Sequence, residues 1–135
     1  GFQAATGNTA IGSKTLYSNT IGYSNTAMGF QALYSNTQGS GNTAYGQTSL
    51  LGNSIGSANS AFGYGALLSS IDADNNVAIG ASSLYQNTQG NNNTAIGYGS
   101  LISNHIGANN TAIGFLANVS SVNLSNATVI GSNAM

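Results

Sequence analysis

The chain has 135 residues, and its ionisable set is one lysine, Lys14, two acids, Asp72 and Asp74, and one histidine, His105; it has no cysteine, proline or tryptophan. Charged residues make up 2% of it, against about a quarter in an ordinary globular domain. That shortage excludes a basic surface able to neutralise phosphates, a disulfide framework, and a thiolate metal site or nucleophile, and it leaves barely one pair of groups for acid–base chemistry.

Read in chain order, the sequence is one repeat. Aligned on Thr-Ala-Ile-Gly, the glycines fall at Gly12, Gly29, Gly46, Gly63, Gly80, Gly97, Gly114 and Gly131, every interval being 17 residues without insertion. Ahead of them run an asparagine column (Asn8 to Asn110), an alanine column (Ala10 to Ala112, then Val129) and an Ile/Met/Tyr/Phe column (Ile11 to Ile130). Behind them come a leucine column, Leu16 to Leu101 and then Asn118, and a second glycine column in which Ala73 and Leu124 are the exceptions. The period is too short for the common helical repeats, and glycine recurs too often for a sustained helix. Two short extended segments per unit, joined by Gly/Asn turns, predict an all-β solenoid of eight 17-residue coils. With coils about 4.8 Å apart, the array is a rod on the order of 40 Å long. A short helical turn is the alternative for the second segment, around Ala32-Leu33-Tyr34-Ser35. The array is expected over residues 1–117, with 118–135 a degenerate last repeat, cap or transition to a further domain, because Asn118, Leu124 and Ala127 break three columns.

Side chains alternate across a strand, so asparagine and alanine share one face of the first segment, and threonine shares the other with the Ile/Met/Tyr/Phe column. Both faces suit burial, and the pattern leaves open which lies inside. The expected core takes a set from each: Ala27 with Leu33, Leu67 and Leu84, and Ile11, Ile79, Ile96 and Ile113. Whichever face points outward becomes a continuous apolar stripe, longer than monomers usually expose, and hence an expected interface. The lack of charge follows from the same stacking. A charged column would repel its own copies by on the order of 1 kcal/mol per neighbour in water, whereas amides and hydroxyls form hydrogen-bonded ladders.

Asn75-Asn76-Val77-Ala78-Ile79-Gly80, Asn92-Asn93-Thr94-Ala95-Ile96-Gly97 and Asn109-Asn110-Thr111-Ala112-Ile113-Gly114 resemble the Asn-Ser-Val-Ala-Ile-Gly motif of trimeric autotransporter adhesin heads of the YadA-like type. Similar repeats with Ala-Leu-Tyr-Ser-Asn-Thr occur in fibre proteins of phages, large viruses and predatory bacteria. The resemblance implies a left-handed parallel β-roll, an intertwined or side-by-side homotrimer, and attachment at a cell or virion surface. The unit here is longer than the adhesin one, with the extra residues in the Leu-Tyr-Ser-Asn stretch, which favours the fibre-type relatives.

The candidate ligand-contacting residues are the aromatics Tyr17, Tyr34 and Tyr85 in one column, and Tyr64 and Tyr98 in another with Phe30 and Phe115. Such rows beside Asn and Ser can stack on sugar rings; the plainer role is to cover the coil edge. His105 stands in a threonine/serine turn column and reads as a loop residue, with a trimer-axis histidine cluster as the alternative. Asp72-Ala73-Asp74-Asn75-Asn76 resembles the opening of a calcium loop but lacks its glycine and its closing glutamate, so a polar turn is expected. The expectation is thus a non-enzymatic, extracellular adhesive module with no catalytic, cofactor-binding or metal residue. Its partners are its own copies and a surface polysaccharide, with neither nucleic acid nor membrane insertion. An ice-binding solenoid is the alternative, and a fibre-borne polysaccharide-degrading enzyme is disfavoured because the only two acids share a single turn.

Overall fold

The computed structural model describes residues 5–135; the first four residues of the expected array lie outside the described residues. Eight three-residue strands follow one another at the repeat spacing: β1 Thr9–Ile11, β2 Thr26–Met28, β3 Thr43–Tyr45, β4 Ser60–Phe62, β5 Val77–Ile79, β6 Thr94–Ile96, β7 Thr111–Ile113 and β8 Thr128–Ile130. They form one parallel sheet in the order β1 to β8, each column paired with itself: Thr26 with Thr43, Ala27 with Ala44, Met28 with Tyr45. The chain is a parallel β-solenoid, and no helix occurs among the described residues.

The second segment is not a strand. From Gly29 to Asn36 the chain runs through consecutive turns, with Ala32 N–H donating to the Gly29 carbonyl (3.3 Å) and Asn36 N–H to that of Leu33 (3.3 Å). Coils still bond to one another here, since Leu33 N–H donates to Ser49 O and Ser35 N–H to Leu51 O (3.0 and 3.1 Å). The expected extended segment is absent because its leucines adopt the left-handed region: Leu16, Leu33, Leu50, Leu67, Leu84 and Leu101 have φ between 49° and 52°. For a leucine that conformation costs roughly 1–2 kcal/mol. Leu33, Leu50, Leu67, Leu84 and Leu101 are each fully buried by it, and burying a leucine side chain returns about 1.5–3 kcal/mol.

The interior settles which face is which. Alanine fills it, with Ala27, Ala44, Ala61, Ala78, Ala95 and Ala112 all inaccessible to solvent, alongside the leucines. Ala27, Leu33, Leu67 and Leu84 therefore lie in the core as expected. Ile11, Ile79, Ile96 and Ile113 do not: they point outward and are 52, 41, 36 and 39% exposed. Alanine and leucine side chains of nearly constant size pack this interior, and the column that varies from Ile to Tyr and Phe stays outside.

Two asparagine columns line the same interior, each bonded to its own copies and to the backbone. In the first, Oδ1 accepts the next coil's backbone N–H, as Asn42 N to Asn25 Oδ1 and Asn59 N to Asn42 Oδ1 (both 2.9 Å). Nδ2 closes the same coil by donating to a carbonyl 14 residues on, Asn25 to Gly39 and Asn42 to Gly56. In the second, Asn19, Asn36, Asn53, Asn87 and Asn104 donate through Nδ2 to the carbonyl three residues ahead, that of Gly22, Gly39, Gly56, Gly90 or Gly107. Within this column Asn36, Asn53 and Asn104 also donate to the Oδ1 one coil earlier (2.8 to 2.9 Å). Buried amides are costly unless bonded, and the repeat supplies these partners at its regular coils.

The Thr-Ala-Ile-Gly glycines hold φ of 126° to 138°, a region essentially restricted to glycine. At Gly46 a Cβ would also sit 2.6 Å from the Gly63 carbonyl oxygen. Gly41 has φ 67°, a Cβ there would meet nothing closer than the Ala58 nitrogen at 4.0 Å, and the same column holds Ala58 at φ 59°. Gly46→Ala is expected to destabilise by about 3 kcal/mol or more, against about 1 kcal/mol or less for Gly41→Ala. Denaturant unfolding of both variants checks the contrast.

Candidate functional site

The candidate surface that the solenoid presents is its outer face. Strand geometry turns two residues per coil outward, the threonine and the Ile/Met/Tyr/Phe position, because the alanine between them points in. The second of these columns runs without a polar residue through all eight coils: Ile11, Met28, Tyr45, Phe62, Ile79, Ile96, Ile113 and Ile130. Tyr45 and Phe62 stack within it, centroids 5.9 Å apart. It is an apolar ridge as long as the array, flanked at several coils by exposed Phe30, Tyr64, Tyr98 and Phe115.

The aromatic candidates fall into two groups. Tyr17 and Tyr34 stack face to face on neighbouring coils, with centroids 5.3 Å apart and planes 2° from parallel. Tyr34 and Tyr85 are half-buried; the Tyr85 ring lies over the backbone of Gly65, its Cε2 3.3 Å from where a Cβ on Gly65 would stand. Tyr64 and Tyr98 are 58% and 52% exposed. They share a column two coils apart, with the small Ala81 between them. Tyr98 stacks on Phe115 at 5.5 Å, so its other face, and that of Tyr64 across Ala81, carry no aromatic neighbour in the column.

Asp74 is absorbed into the coil's own bonding, whereas Asp72 Oδ1 is buried without a hydrogen-bond partner. Asp74 Oδ1 accepts the backbone N–H of Ser57 (2.7 Å), as the hydroxyls of Ser40 and Ser57 accept from Tyr23 and Ser40 in earlier coils. Asp74 N–H in turn donates to Asn91 Oδ1. This outer ladder of side-chain acceptors was not anticipated, although its signal, a run of Ser, Asp and Asn at one position of the unit, is present in the sequence. Asp72 Oδ2 accepts from Gln89 Nε2 at 3.4 Å. His105 is half-buried, and its Nε2 lies 3.2 Å from Gln86 Oε1. Among the described residues no three His, Cys, Asp or Glu side chains gather into a metal-binding group.

No protein-family model, no curated protein and no solved structure matches this chain. The outward column is therefore judged on its own chemistry. Ile96 lies in it between Ile79 and Ile113, paired with both through the backbone. Ile96→Asp leaves the alanine and leucine interior untouched, yet it would place an unpaired carboxylate in any contact the ridge makes, at a cost of several kcal/mol. The variant is expected to remain folded by circular dichroism, and any self-association that the parent shows in light scattering is expected to be lost.

Proposed function

We propose that the chain is a segment of an extracellular fibre at a cell or virion surface, a homotrimer of β-solenoids that serves attachment and binds a neutral surface glycan. One observation carries the reading: an unbroken outward apolar column over eight coils on a chain with almost no charge. A stripe of this length exceeds what monomers usually leave in water, and each coil adds the same contact, so the interface grows with the rod. The threefold number and the left-handed roll rest on the resemblance of the Asn-Thr-Ala-Ile-Gly repeat to trimeric adhesin heads and fibre proteins.

The glycan reading rests on the aromatics and on charge. Tyr64 and Tyr98 stand two coil rises apart, about 9.6 Å at about 4.8 Å per coil, with a methyl group between them. Two ring faces at that spacing, among uncharged amides and hydroxyls, suit a sugar ring better than a charged ligand. The outward threonines do not form paired columns, since an Ile, Met, Tyr or Phe shares each strand's outer face, and this disfavours ordering of ice-like water.

Light scattering of the purified protein is expected to give the mass of three chains, and a monomer at micromolar concentration would overturn the assembly. On a glycan array the intact oligomer is expected to bind neutral polysaccharide. Tyr64→Ala and Tyr98→Ala should each weaken that binding roughly tenfold, on the basis of about 1–3 kcal/mol for a ring stacked on an aromatic side chain. Unchanged binding by both variants would remove these residues from the site.

A further inference from the structure

The fourth coil breaks the inner amide ladder, and the break has a definite shape. Where the second asparagine column has Asn, the glycine column three residues on has Gly: Asn19 with Gly22, Asn36 with Gly39, Asn53 with Gly56, Asn87 with Gly90 and Asn104 with Gly107. Where the first member is serine, the second is not glycine: Ser70 with Ala73 and Ser121 with Leu124. These glycines do not have positive φ; packing demands them, because a Cβ at Gly22, Gly39, Gly56, Gly90 or Gly107 would collide both with Oδ1 of the asparagine three residues before and with the next coil's carbonyl oxygen in the same column. Ser70 removes the first of these two collisions at Ala73, and an asparagine there would restore it. Ser121 and Leu124 lie on the exposed part of the last turn, whereas Ser70 and Ala73 are fully buried.

Ser70 is too short to do what the amide does elsewhere. In the regular coils Nδ2 donates twice, to the Oδ1 one coil back and to the carbonyl three residues ahead, as for Asn53 with Asn36 and Gly56 (both 2.9 Å). At the fourth coil the corresponding acceptors are Asn53 Oδ1 and the Ala73 carbonyl. Asn53 Oδ1 has no hydrogen-bond partner, and neither has Ser70 Oγ, although both residues are completely buried. The Ala73 carbonyl accepts from Asn59 Nδ2 (2.7 Å), which leaves it a second lone pair. On the other side of the break, Asn87 Nδ2 keeps its bond to Gly90 O (2.8 Å) and finds no acceptor one coil back.

We propose that the fourth coil binds one buried water molecule at the place an amide nitrogen takes in the other coils. The water donates to Asn53 Oδ1 and to the Ala73 carbonyl and accepts from the Ser70 hydroxyl, the three bonds usual for an internal water. The Ala73 methyl excludes the oxygen half of the amide, and the water stands for the nitrogen half. Serine and alanine together with a water therefore replace asparagine and glycine, and the two substitutions act as one unit.

High-resolution crystallography of the intact protein, with thermal unfolding of three variants, tests this. Electron density for a water within hydrogen-bond distance of Asn53 Oδ1, Ser70 Oγ and Ala73 O is expected. Ser70→Asn should lower the Tm by several degrees, because its Oδ1 meets the Ala73 methyl. Ala73→Gly should lower it slightly, and the double variant S70N/A73G should melt at or above the parent and lose the water. A dry site in the parent overturns the proposal directly. A Ser70→Asn protein as stable as S70N/A73G also overturns it, since the pair would then be uncoupled.

Discussion

Each coil of this protein rests on a near-copy of itself about 4.8 Å away, and every side chain must tolerate its own repetition. The rest of the structure follows from that constraint. Alanine tolerates it inside, because methyl groups stack at that spacing without forcing the coil open. Asparagine tolerates it because an amide is both donor and acceptor, so a column of amides bonds to itself as Asn19, Asn36 and Asn53 do. A carboxylate or an ammonium has one sign and no such option. The three charged side chains accordingly occupy single positions, and Asp74 is placed where its oxygen serves as one more acceptor in a ladder of serine and asparagine oxygens.

Much of this was legible in the sequence, because a fixed register is a direct statement about columns. The eight strands, their self-pairing and the joint placement of Asn with Ala and of Thr with Ile all follow from period 17 and strand alternation. Strand alternation alone leaves the inside–outside assignment open; its signal lies elsewhere in the sequence, in an alanine column that barely changes size beside a neighbour that ranges from Ile to Tyr and Phe, a range that only an outer position accommodates. Ile11, Ile79, Ile96 and Ile113 belong outside for this reason.

The second segment was not legible. Leucine is a poor candidate for positive φ, and asparagine a better one. Yet the six leucines of this column occupy that region, and Asn118, which follows them in the column, does not. Local preference is overruled by the inter-coil bonds at this bend and by the leucine's burial. Past Asn118 the leucine no longer anchors the turn, and residues 120–126 are exposed. The ladder defect at Ser70 and Ala73 lies between these cases. The exceptions are visible in the sequence, but their pairing makes sense only once the Cβ of one position is seen to meet the amide of the other.

Column identity predicts that whole coils are interchangeable and fractions of coils are not. Residues 59–75 make up the fourth coil, from Asn59 to Asn75. Removing them joins Ala58 to Asn76, brings Asn53 beneath Asn87 and leaves every column in register. Removing residues 59–74 instead shifts all later coils by one residue and turns the alanine column against the outer face. The most direct measurement is thermal unfolding of these two deletions beside the parent. A single cooperative transition near the parent Tm is expected for the 17-residue deletion, and a grossly destabilised or split transition for the 16-residue one. Equal stability of the two deletions would contradict it.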